Sequence, residues 1–180
     1  MEYVQPIRNK EKIEEVKAIL KRKSYRDYLM FVMGINTGLR VSDLLKLQVK
    51  DVRDTTHIKI KEKKTDKTKR FKLNTVIIEV LRDYTRGLND EEFLFPSKKS
   101  NKPISRVQAY RILNEAAEKA GLKEIGTHTM RKTFGYHHYQ QFKDVALLQQ
   151  IFNHSAPSVT MRYIGIDQDL MDATIDKFAL

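Results

Sequence analysis

At 180 residues, with formal charge +11 and a pI near 9.7, the chain reads as one basic domain able to bury its own core and suited to a polyanionic partner. Cysteine is absent, which excludes disulfides, thiol nucleophiles and cysteine-ligated zinc. No N-terminal apolar segment follows the opening charges and YLMFVMGI is too short to span a bilayer, so a cytoplasmic protein without a membrane partner is expected.

KEKIEEVKAILKR sets Ile13, Val16 and Ile19/Leu20 on one helical stripe. YRDYLMFVMGINTG is apolar nearly all round and predicts a buried central helix ending at Gly38. Ser42 then caps a short helix through Leu47. HIKIKEK alternates Ile58 and Ile60 with lysines, and KRFKL answers it after the turn TDKT, giving a basic β-hairpin. Asn74 caps a helix to about Arg86, with Gly87 as its stop. EFLFPSKKSNKP reads as a short apolar strand or loop followed by a basic linker. Ser105 opens a helix that Gly121 closes, Thr127 caps another through Gln141, and Asp144 a further one through Phe152. DQDLMDATIDKF makes a tail helix over about 167–180. The expected fold class is mainly α with a small antiparallel β-sheet (α+β), one domain over 1–180.

The acids are scattered or capping, so no carboxylate cluster offers a site for hard cations, and no metal is expected. Without a metal, an enzyme acting on a phosphodiester needs a side-chain nucleophile, cationic donors for the nonbridging oxygens and an acid for the leaving oxygen. Tyrosine suits the first role, but its phenol titrates near 10 and needs cations or a base before it attacks. Arg40 leaves the end of the buried helix, where its planar fork could hold two phosphate oxygens, or cap helix carbonyls, or pair with Asp43. HTMR puts His128 and Arg131 three apart, on one helical face. His154 lies just past a helix end, and Lys64 beside the hairpin turn. Tyr28 and Tyr110 read as core residues, the latter on a stripe with Val107 and Leu113. Tyr136 and Tyr139 share the HTMR helix and compete with Tyr163.

Taken together, TGLRVSDLLKL, KKTDKTKRFKL, HTMRKTF and NHSAPSVTMRY occur in the order and spacing of the tyrosine recombinases, the phage integrase family. The resemblance spans nearly the whole chain and resembles the family's catalytic domain. It implies that Arg40 and Arg131 clamp the scissile phosphate. Lys64 protonates the departing 5′-oxygen, His128 accepts a proton or donates to the phosphate, and His154 hydrogen-bonds it. Tyr163, nine residues after His154, forms a 3′-phosphotyrosyl link. No cofactor is implied, because the link conserves the energy of the broken strand.

Departures from the family pattern are visible. Asp43 stands where glutamate is usual and Lys132 where histidine is common, so both are expected behind the catalytic groups. FNH replaces LGH, and Asn is the next-best residue to Gly at a left-handed helix end. The family's separate N-terminal DNA-gripping domain is not expected within 180 residues, so site recognition is expected to be either weakened or supplied by an accessory DNA-binding protein.

Double-stranded DNA is the expected ligand, with Lys63, Lys67, Lys69, Arg106 and Arg111 as phosphate contacts and a nucleoid-associated location. In the tail, Leu170, Met171, Thr174, Ile175 and Phe178 form a stripe that packs either on its own domain or, as the resemblance implies, on a neighbour. The second reading gives a homotetramer on paired DNA sites and leaves a free monomer open. Three other functions fit less of the pattern: a noncatalytic DNA-binding protein on this scaffold, a topoisomerase with the same chemistry, and a helix-turn-helix regulator.

Overall fold

A computed structural model describes residues 4–61 and 68–178. Asn9 accepts from the Glu11 N–H and opens α1 (Lys10–Lys23), which buries Ile13, Val16 and Leu20. Ser24 closes α1 through its backbone and opens α2 (Tyr25–Thr37). Leu29 to Gly34 are all buried in α2, so it is the central helix that the unbroken apolar run predicted. Gly38 ends it in the left-handed conformation (φ 66°).

The next helix corrects one expectation. The Arg40 carbonyl accepts the Asp43 and Leu44 N–H groups, so α3 is Val41–Leu44 and Ser42 lies inside its first turn, not at its cap. Beyond Leu44 the chain tightens into three-residue turns, Lys46 and Leu47 donating to the Asp43 and Leu44 carbonyls, and the Leu47 carbonyl then accepts from the Leu94 N–H of the buried Leu94–Phe95 segment. A 3-10 turn follows at Val49–Asp51. Strands β1 (His57–Lys61) and β2 (Thr68–Lys72) pair antiparallel, with Ile58 opposite Phe71 and fully buried.

Asn74 caps α4 (Thr75–Tyr84) and Ser105 caps α5 (Arg106–Lys119), each accepting a first-turn N–H. The buried stripe of α5 is Ala109, Leu113, Ala116 and Ala117. Val107 is exposed and Tyr110 only half-buried, because small alanines let α5 approach its neighbours on a different face from the one predicted.

Helix α6 is Thr129–Phe142, with His128 at its cap position. Thr127 does not cap it. The Thr129 hydroxyl instead accepts from the Gly126 N–H at 2.9 Å, closing the entry turn from inside. Asp144 caps α7 (Val145–Phe152), and Asn153 ends it at φ 54°, the left-handed position that its sequence context predicted. Helix α8 (Pro157–Ile164) turns at Gly165 (φ 80°) into α9 (Ile166–Asp176).

Two apolar clusters result. The larger joins α1 to α5, the hairpin and Met130 of α6. The smaller centres on Leu148, Phe152, Ile164 and Ile166, with Tyr163, Tyr136 and Phe134 packed against it. The tail stripe is covered by neither: Leu170, Met171, Ile175 and Phe178 are 58%, 54%, 69% and 65% exposed. Packing of that stripe on its own domain is therefore not what the fold contains.

Candidate active site

Tyr163 sits one residue before the end of α8, rooted in the smaller cluster. The Phe152 and His154 rings meet it edge-on, at 5.6 and 5.1 Å between centroids. Its hydroxyl reaches His128 Nδ1 at 3.2 Å. Because His128 sits at the cap position without capping, its ring is free to turn toward the tyrosine. Burial raises the phenol above its ordinary value, while the nearby Arg131 and Arg40 charges pull it back.

Arg131 is buried. Its guanidinium donates to the Gly38 carbonyl and, at 2.8 Å, to the Phe152 carbonyl, and it stacks 4.2 Å from the Phe152 ring centre. It therefore caps the ends of α2 and α7 together. Burial holds its pKa down to about 10, with Tyr163 opposing the shift. Asp43 adds a favourable charge toward Arg131, but among the described residues no hydrogen bond joins them.

Arg40 contrasts with it. Its side chain is exposed and, among the described residues, makes no hydrogen bond or ion pair, with Asp43 or any other group. It borders a cleft of about 590 Å³ shared with Lys46, Lys61, Lys69, Arg106, Arg131 and Asn153. Lys46 and Lys61 were not singled out from the sequence, where they are indistinguishable from other solvated lysines. Lys69 Nζ is drawn to the end of α7, donating to the Ile151 carbonyl at 2.7 Å. Arg111 does not line the cleft, since five residues of helix set it on a different face from Arg106.

Both histidines are held below their ordinary pKa. Burial is the main cause for each, followed for His128 by Lys132, Arg131, Arg106 and Arg40, and for His154 by Arg131 and Arg40. Both rings are therefore neutral at pH 7. His154 Nδ1 pairs with the Thr160 hydroxyl at 3.0 Å, leaving Nε2 for another partner. Lys132 donates to the Val4 carbonyl at 2.7 Å and lies 5.2 Å from the Tyr163 ring centre, behind the tyrosine. Tyr136 and Tyr139 belong to the same small cluster. Lys63, Lys64 and Lys67 lie outside the described residues.

Among the described residues no group of three or more His, Asp or Glu is placed to hold a metal ion, and no helix is long and apolar enough to cross a membrane. The site thus gathers Arg40, Arg131, His128, His154 and Tyr163 from four separate stretches of sequence.

The model of the phage integrase family matches residues 9–169. A curated relative named probable integrase/recombinase YoeC, from Bacillus subtilis (strain 168), is 54% identical over 178 residues, covering 99% of this chain and 98% of YoeC. The crystal structure of XerA recombinase superposes with a TM-score of 0.77 at 20% identity, covering 98% of this chain and 65% of that one. A XerH site-specific recombinase, in a structure described as a post-cleavage complex bound to palindromic difH substrate, gives 0.71 at 24% identity, over 97% of this chain and 53% of XerH. The chain thus spans somewhat over half the length of those two solved recombinases, whose likeness is one of fold. The family match over most of the chain and the YoeC identity along nearly all of it carry the assignment: this chain belongs to the phage integrase family, the tyrosine recombinases.

Proposed function

We propose that the chain breaks and rejoins double-stranded DNA through a 3′-phosphotyrosyl intermediate on Tyr163, without metal or nucleotide cofactor. The observation that carries this reading is the 3.2 Å approach of Tyr163 Oη to a neutral His128 Nδ1, beside the Arg131 and Arg40 charges. The raised phenol pKa keeps Tyr163 protonated at neutral pH, so attack requires an acceptor, and His128 is within reach.

A scissile phosphate in the basic cleft receives N–H donors from Arg40 and Arg131 on its nonbridging oxygens, where charge grows in the transition state. Tyr163 Oη bonds to phosphorus as its proton passes to His128 Nδ1. The bond to the 5′-oxygen breaks, and that oxygen takes a proton, the role the sequence resemblance gives to Lys64. In this reading the Thr160 hydroxyl, 3.0 Å from Nδ1, is the donor of that pair, so that His154 carries its proton on Nε2 and offers it to the phosphate. A 5′-hydroxyl reverses these steps on the tyrosyl ester, so ligation needs no separate energy source.

Residues 9–169 act in this reading as a catalytic domain, and sequence-specific grip comes from elsewhere, in an accessory protein or a further segment. The XerH structure is described as bound to its difH substrate, and a Tn1549 transposon integrase structure as a complex with circular intermediate DNA, which supports DNA as the ligand. The exposed stripe of α9 supports assembly in trans, with four protomers on two sites.

Nicked duplexes that trap the cleaved strand test the chemistry. The wild-type chain is expected to form an SDS-resistant adduct, and Tyr163→Phe none, with noncovalent DNA binding retained. An adduct in the phenylalanine variant moves the nucleophile to Tyr136 or Tyr139.

A further inference from the structure

The first described residues run as a strap along α6. The Gln5 N–H donates to the Glu124 carbonyl and the Ile7 N–H to Thr133 Oγ1, both at 2.9 Å, and the Ile7 carbonyl meets His137 Nε2 at 2.9 Å. Arg8 leaves this strap and crosses to the far end of the chain. Its Nε and Nη2 grip the Asp169 carboxylate at 2.7 to 3.1 Å, and Nη2 approaches the Gly165 carbonyl at 3.5 Å. The guanidinium carbon lies 5.4 Å from the centre of the Tyr136 ring, which packs in the same small cluster as Tyr163.

Gly165 is the joint between α8 and α9, two residues after Tyr163. A Cβ there would stand 2.8 Å from Arg8 Nη2, so glycine serves both the left-handed backbone and the close approach of the arginine. Apolar packing anchors the joint itself through Ile164 and Ile166, but beyond Ile166 no described residue of α9 is buried, so packing does little to set the direction in which α9 leaves. A planar fork on a carboxylate sets direction as well as distance. The ion pair is one-third exposed on both sides, so its effect on stability is small and its geometry is what it offers. The strap also reaches the tyrosine directly, because the Val4 carbonyl holds Lys132 5.2 Å from the centre of the Tyr163 ring.

We infer that Arg8 is a positioning residue for Tyr163: by gripping Asp169 and the Gly165 carbonyl it sets the α8–α9 joint, and with it the distance of the phenol from the scissile phosphate. In this role Arg8 acts through the joint, since it does not line the basic cleft. The inference rests on Tyr163 being the nucleophile.

The test measures single-turnover adduct formation by the full chain on nicked duplexes built from DNA recovered in the wild-type covalent complex, alongside thermal melting. At saturating DNA, Arg8→Ala and Asp169→Asn are each expected to be about 10- to 100-fold slower, the scale of an ångström-sized misplacement. Half-saturating DNA concentration stays within about two-fold, since neither residue borders the basic cleft. The paired swap of Arg8→Asp with Asp169→Arg regains at least about ten-fold over Arg8→Asp alone, as coupled partners should. Wild-type rates in both single variants, or losses that track DNA affinity or melting, overturn the inference. If Arg8→Ala is unfolded at the assay temperature, Asp169→Asn, which keeps every backbone bond of the strap, decides by the same criteria. A wild-type chain with no adduct at Tyr163 refutes the nucleophile and this inference together; an intact wild-type adduct with unaffected variants refutes the inference alone.

Discussion

Arg40 projects from the larger apolar cluster and Tyr163 from the smaller, and the two regions are held in different ways. Around α2 the side chains from Leu29 to Met33 are at most 1% exposed, so the platform behind Arg40 is set by close packing. Around α8 the described cluster has four buried apolar residues, and polar ties do much of the positioning: Arg131 on the Gly38 and Phe152 carbonyls, Lys132 on Val4, Arg8 on Asp169. Arg131 belongs to both regions, since its two carbonyl partners lie one in each. Packing leaves Arg40 unencumbered for a ligand, whereas hydrogen bonding makes Arg131 part of the frame as well as of the site.

The sharpest way to break this comparison is to remove each arginine in turn. Arg40→Ala and Arg131→Ala are both expected to slow adduct formation by about 10²–10³, the usual cost of a lost transition-state donor. They part in stability. Arg131→Ala leaves two carbonyls of buried residues without their donor, at about 1–3 kcal/mol each, and lowers the melting temperature; Arg40→Ala leaves it unchanged. Arg131→Lys keeps the charge but cannot span both carbonyls, so it remains destabilised. Equal melting of the Arg40 and Arg131 alanine variants would remove the distinction.

How far the sequence reached follows the same division. Asn74, Ser105 and Asp144 were readable as caps, and Gly38 and Asn153 as helix ends, because each acts on backbone within a few residues. The entry to α6 misled because two threonines flank His128, and only the folded turn decides that Thr129 closes it. Arg40 stood open between phosphate ligand and carbonyl cap; the carbonyls went to Arg131, 93 residues from Gly38. Contacts of that span leave no local pattern, which is also why Arg8, 161 residues from Asp169, and the Lys132–Val4 bond were illegible. The cluster of Arg40, His128, Arg131, His154 and Tyr163 was reached through the order and spacing of whole motifs, not through any one of them.

A smaller effect sharpens the comparison on the side of the small cluster. Folded His128 and His154 titrate below the ordinary 6.5, through burial first and neighbouring cations second. The unfolded chain therefore binds more protons in mild acid, and stability falls as pH drops below about 6.5 toward the folded values. Cleavage moves the same way, because protonated His128 cannot accept the tyrosine proton. The rate at saturating DNA is expected to fall by about ten-fold per pH unit below the folded His128 pKa. His128→Gln should be slow and lack that limb; a limb unchanged in this variant belongs to another group.

The smallest expected effect concerns DNA grip on the rigid side. Arg106 borders the cleft and Arg111, on the same helix, does not. Arg106→Ala should flatten the dependence of log affinity on log salt by about 0.9, the share of one phosphate contact, and Arg111→Ala by much less. Equal changes at both positions would reduce the cleft to general basicity.

Peptide mapping of the SDS-resistant DNA adduct tests the central claim most directly. Trypsin releases Tyr163 in the peptide 163–177, and Tyr136 with Tyr139 in the peptide 133–143. A 3′-phosphonucleotide on Tyr163 in the first peptide is expected. The same mass shift on the second peptide, or no covalent adduct on either, would contradict it.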